Sequence, residues 1–154
     1  MDLENKIAIK EKAGRDKVMS YFGNKYDFVL SENPGDQWDL SGCTYNIGCD
    51  DKNYFIEVKD RDISSTSFNT CILEYKKFES LKELSKEFNA EIFYTCLYTD
   101  DIMYMFNLRK LTLMDVSLTT INAPKISMQD HYNKIPKLMI ELPFALGTRY
   151  KLKK

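Results

Sequence analysis

Three charged residues in the first half of the chain have the types and spacing of a hydrolytic centre. Glu57 and Lys59 stand two apart in the apolar run YFIEVKD, and Asp39 lies in the run WDLSG upstream. Side chains on an extended strand alternate between faces, so Phe55, Glu57 and Lys59 share one face and Ile56 and Val58 the other. If the two runs are neighbouring antiparallel strands, about 4.8 Å apart, Asp39 comes close to Glu57. Adjacent carboxylates repel unless a positive charge lies between them. Oxygen donors that leave room for water suit a hard cation such as Mg²⁺, with Mn²⁺ as substitute, better than zinc. Lys59 would then stand beside the cation, able to orient or help deprotonate an attacking water and to offset charge growing on a pentavalent phosphorane. This set suffices for phosphodiester hydrolysis without a Ser or Cys nucleophile or a His base. The plainer alternative is a half-exposed strand, on which an acid beside a base costs little.

The elements that must position these residues can be read from periodicity. Residues 5–22 carry Ile7, Val18, Tyr21 and Phe22 on one helical stripe, with Gly23 and Asn24 as a stop. Glu11 and Gly14 fall on the same stripe. Residues 26–32 read as a first strand closed by the Asn33, Pro34, Gly35 turn, residues 38–48 as a second, and residues 54–60 as a third after a hairpin turn at 50–53. The hydroxyls of residues 64–67 suit a helix N-cap, and a long helix is expected from there to Phe88, with Cys71, Tyr75, Phe78, Leu81, Leu84 and Phe88 inward. Residues 91–99 and 102–108 follow as strands. Beyond Leu113, Pro124, Pro136 and Pro143 interrupt the pattern, and residues 137–142 are the best remaining strand. The order is α-β-β-β-α-β-β, one α/β domain over 1–154 with its core at about 5–108 and a C-terminal extension over 109–154.

Composition narrows the classes. With 154 residues the chain can bury a core without disulfides or structural metal. Cys43, Cys49, Cys71 and Cys96 lack the spacing of a zinc site, so reduced, mostly buried thiols are expected, and the single His131 excludes a His-rich metal site. The sequence begins at Met1 with a charged segment instead of a leader, and no apolar run approaches membrane-spanning length, so a soluble cytoplasmic protein is expected. The net charge of −1 is unevenly spread: Lys125, Lys134, Lys137, Arg149, Lys151, Lys153 and Lys154 outnumber Asp115, Asp130 and Glu141 in the tail, leaving an acidic body.

An acid on one strand, Glu-Val-Lys on the next, and an α-β-β-β-α-β order resemble the PD-(D/E)XK nuclease superfamily, which includes small Holliday-junction-resolvase-like enzymes of phage and bacteria. The resemblance runs over about residues 5–108; Trp38 stands where the name has proline, and Asp36 competes with Asp39 for the acidic role. It implies a restriction-endonuclease-like fold with a mixed central sheet flanked by helices. It also implies Mg²⁺-dependent cleavage of nucleic acid, with DNA the expected substrate. Asp39, Glu57 and the Val58 backbone carbonyl would hold the metal and Lys59 would act on water. Glu11 matches an acid that some branches bring from the first helix, and Glu74, Lys76 and Lys77 match an auxiliary, phosphate-binding signature. Such folds often act as homodimers, and that arrangement or a larger complex stays open here.

The residues leave rivals standing. Lys76 and Lys77 also fit a solvated helix face, and Glu11 a partly exposed helix start. A non-catalytic nucleic-acid-binding or assembly subunit on the same fold, or an unrelated α/β interaction protein, would carry the same charges without cutting.

Overall fold

A computed structural model describes residues 3–23, 27–31, 38–44, 52–124 and 133–152. Asp36, Cys49, His131, the expected turn at 33–35 and the first half of the turn expected at 50–53 lie outside the described residues; Lys52 and Asn53, expected in that turn, instead open a strand, because they pair with Thr44 and Cys43. Helix α1 (Leu3–Phe22) forms where the apolar stripe predicts it and ends at Gly23, whose φ of +55° is the left-handed conformation of a helix stop. Strands β1 (Asp27–Leu30), β2 (Leu40–Thr44) and β3 (Lys52–Asp60) make the expected antiparallel meander, with Leu40 opposite Ile56.

The long helix expected after residue 67 is shorter than the sequence suggested. Thr70–Glu74 is strand β4, in which Cys71 and Leu73 are buried alternately, and helix α2 spans only Tyr75–Glu87. The helical spacing from Cys71 to Tyr75 coincides with a strand-to-helix junction, which a stripe of mixed period cannot reveal. The hydroxyls assigned to an N-cap serve a loop instead: Ser64 and Ser65 donate to the Asp100 carboxylate. Glu74 precedes the helix without a side-chain cap bond.

After α2, β5 (Glu91–Leu97) returns parallel to β3, and β6 (Ile102–Asn107) pairs antiparallel with β5. The segment after Leu108 supplies β7 (Ser117–Pro124), β8 (Lys134–Pro143) and β9 (Thr148–Lys151). The main sheet is ordered β1-β2-β3-β5-β6-β9, and a second, antiparallel sheet is ordered β4-β8-β7. Pro136 and Pro143 do not interrupt β8, because β4 pairs only with Met139–Pro143; Pro136 lies where that side of the strand is an edge, and Pro143 at its end.

Each face of the main sheet has its own core. Val18 of α1 packs with Leu40, Ile56, Leu97 and Met103 on one face. Phe78 and Leu81 of α2 pack with Ile92, Tyr94, Phe106, Ile140 and Leu142 on the other. The expectation of reduced thiols is corrected for one pair: Cys71 and Cys96 form a disulfide joining β4 to β5 in this second core. Their proximity depends on β4 being a strand, so the linear sequence carried no sign of it. Strand alternation directs Ile56 and Val58 toward α1 and Phe55 toward the second core.

Gly14 brings α1 against β3. A Cβ there would lie 3.5 Å from Val58, Asp60 and Leu97, an ordinary contact distance. Gly14→Ala is therefore expected to stabilise the fold by about 0.5–1 kcal/mol through helix propensity, raising the midpoint of a urea titration. A lowered midpoint would mean that α1 must approach more closely than these distances imply.

Candidate active site

Asp39 sits immediately before β2, where the β2–β3 ladder ends. Its N–H donates to the Ile56 carbonyl at 2.9 Å, and its Oδ2 accepts the Val58 N–H at 2.7 Å. Its Oδ1 accepts from Arg15 Nη1 of α1 at 3.2 Å. The carboxylate thus replaces a strand partner for Val58. Because N–H and C=O of one strand residue face the same neighbouring strand, the Val58 carbonyl is turned toward this edge too.

Glu57 is only 18% exposed, and Lys77 Nζ of α2 lies 3.1 Å from its Oε2. Burial pushes the Glu57 carboxyl up to about 7; Lys77 opposes the shift, Asp39 reinforces it and Lys59 opposes it. Burial also lowers Lys59, as does Arg61 beside it, against the pull of Glu57 and Glu11. Among the described residues no carboxylate forms an ion pair with the Lys59 ammonium.

Two cavities meet at these side chains. One of about 140 Å³ lies between α1 and β3 and is bordered by Glu11, Asp39, Glu57, Val58 and Lys59. The other, about 450 Å³, lies between β3, the start of α2 and the second sheet, and shares Glu57 and Lys59 as its wall. The structure therefore brings together Asp39, Glu57, Lys59 and Val58, with exposed Glu11 at the rim. Glu74 borders only the larger cavity, where it pairs with Lys137 at 3.1 Å. Lys77 turns inward to Glu57, whereas Lys76 stays on the exposed side of α2, outside both cavities.

Sequence reasoning missed three cations here. Arg15 lies four residues after Glu11 on the inward stripe, and Arg61 continues the alternation of Phe55, Glu57 and Lys59, so both carried a signal. Lys137 carried none, since only the pairing of β8 with β4 brings it to Glu74.

The donor set is hard. Asp39, Glu57 and Val58 border one small cavity, and among the described residues no group of three His, Cys, Asp or Glu side chains forms a ready cage. Such a set fits an ion that keeps several waters, as Mg²⁺ does, and the strained ionisation of Glu57 is what a cation would relieve.

No protein-family model matches the sequence, and no curated protein matches it either. The chain is similar in structure to Hjc of Archaeoglobus fulgidus, a Holliday junction resolvase from an archaeal hyperthermophile. The TM-score is 0.57 at 13% identity, over 90% of each chain. The fold of this chain is restriction-endonuclease-like, as the resemblance to the PD-(D/E)XK superfamily implied.

Proposed function

We propose that this protein is a Mg²⁺-dependent nuclease that hydrolyses phosphodiester bonds of DNA. The observation that carries the reading is the meeting of Asp39, Glu57 and Lys59 at one cavity, on the fold of a protein described as a Holliday junction resolvase. Asp39, Glu57 and the Val58 carbonyl would hold the metal, with Glu11 available through water from the rim. Bound there, Mg²⁺ supplies Lewis-acid polarisation of the phosphate and a more acidic water.

The chain's own residues do the rest. Arg15 fixes one oxygen of Asp39 and the Val58 N–H the other, so the carboxylate keeps its direction without a ligand. Lys59, whose ammonium burial makes easier to deprotonate, orients the attacking water and faces the phosphate oxygens as their charge grows. Lys77 compensates Glu57 before substrate arrives and is then free to meet a phosphate. Among the described residues no helix is long and apolar enough to cross a membrane.

A second reading draws on the same pairs. Arg15 with Asp39 and Lys77 with Glu57 already give each carboxylate a cation, as a non-catalytic nucleic-acid-binding or assembly subunit would require.

The two separate in a cleavage assay on labelled single-stranded, duplex and branched DNA, and on RNA, with Mg²⁺, Mn²⁺ or EDTA. The nuclease reading predicts cutting of DNA that EDTA stops and that Lys59→Ala lowers by about a hundredfold or more. Binding without cutting on every substrate would favour the subunit.

A further inference from the structure

The 450 Å³ cavity is larger than a metal, a water and a phosphate oxygen need, and its walls differ in kind. Four cations border it: Lys59, Arg61, Lys77 and Lys137. Two are paired with carboxylates, Lys77 with Glu57 and Lys137 with Glu74. The other two have no carboxylate partner among the described residues. Arg61 donates through Nη2 to neutral oxygens, the Ile72 carbonyl and the Tyr94 hydroxyl, which hold the guanidinium in place; among the described residues its other nitrogens have no hydrogen-bond partner. Two neighbouring half-buried cations that form no ion pair among the described residues are complementary to a phosphate, which a guanidinium binds through paired hydrogen bonds.

The wall formed by the second sheet is mostly apolar, Lys137 apart. One face of the second sheet presents Ile121, Ala123 and Pro124 of β7 and Met139 of β8 to the cavity. An anion alone gains nothing from such a surface, but a base and sugar do. The volume lies in the range of about 300–1,000 Å³ that takes one small molecule, not a duplex.

We propose that this cavity is a nucleotide subsite: it takes one unpaired nucleotide, its phosphate against Arg61 and Lys59 and its base against the apolar wall of β7 and β8. The inference rests on the nuclease reading, because Glu57 and Lys59 line both cavities and so put the seated nucleotide beside the bond to be cut. A base in this cavity has left the duplex stack, so the preferred substrates have unpaired nucleotides at the cutting site.

The test is calorimetric titration of the full chain in EDTA with thymidine 5′-monophosphate, thymidine or inorganic phosphate, repeated on Arg61→Gln and Ala123→Trp. The proposal predicts that the monophosphate binds at least about tenfold more tightly than either fragment. Arg61→Gln should weaken it about tenfold. Ala123→Trp, on a partly exposed strand position, should abolish nucleotide binding and spare phosphate. Monophosphate binding no tighter than phosphate, or unchanged in Ala123→Trp, would overturn it. Cleavage by the same proteins separates the two readings. Cutting without nucleotide binding removes the subsite and leaves the nuclease. Nucleotide binding that needs Arg61 and Ala123, with no cutting of any substrate, keeps the subsite and removes the nuclease.

Discussion

Glu57→Gln is expected to stabilise the metal-free protein while lowering metal-dependent cleavage by about a hundredfold or more. The two effects share one cause. With its carboxyl pushed up to about 7, Glu57 keeps a proton in the folded chain at pH values where the unfolded chain has lost it. The stability owed to this group is therefore full below the ordinary glutamate value of 4.5 and is lost as pH rises through about 7. Above that, folding must bury a carboxylate that Lys77 only partly compensates. Gln has the same shape, needs no ionisation and still accepts a hydrogen bond from Lys77. One pKa unit is worth about 1.4 kcal/mol, and the shift from 4.5 to about 7 already includes the attraction of Lys77, so the gain at pH 8 is on the order of 3 kcal/mol. Urea unfolding in EDTA at pH 4 and pH 8 should show the variant and wild type nearly equal at the lower pH and separated at the higher. Equal stability at pH 8 would mean that Lys77 satisfies Glu57 completely.

Asp39→Ala should also abolish cleavage, but with the opposite effect on stability. It strands the Val58 N–H and leaves Arg15 without its carboxylate, and the buried Nε of Arg15 already has no hydrogen-bond partner among the described residues. Asp39 and Arg15 are 22% and 24% exposed, so the cost is set below that of a fully buried pair, at about 2–3 kcal/mol in the same urea titration. Thus one acid is held in place by the fold and the other is tolerated by it. If both variants lost stability equally, the carboxylates would be structural partners of Arg15 and Lys77, and the case for a cation would weaken.

The parts of the fold legible in the sequence are those where one period dominates. The stripe of Ile7, Gly14, Val18 and Phe22 predicts α1, and the alternation around Ile56 and Val58 predicts β3 and the face on which Glu57 lies. Where two periods meet, the reading failed: Cys71 and Tyr75 are four apart on a strand-to-helix junction, so β4 was hidden inside a helix. The second sheet was hidden with it, because β8 has a partner on that side only when β4 is a strand. Asp39, Glu57 and Lys59 could be nominated because they are local to two consecutive strands that pair antiparallel. Lys137 and the apolar wall of β7 reach the same region through pairings more than sixty residues long in sequence, and local pattern carries no trace of those.

The most direct test of the central claim is a calorimetric titration of Mn²⁺ into the wild type, Asp39→Asn and Glu57→Gln at pH 7.5. If Asp39 and Glu57 are brought together to hold a cation, the wild type binds Mn²⁺ at one site, and each variant weakens it by about tenfold or more. Wild-type protein that binds no Mn²⁺, or variants that bind it as tightly, would contradict the account and leave the two carboxylates as partners of Arg15 and Lys77 alone.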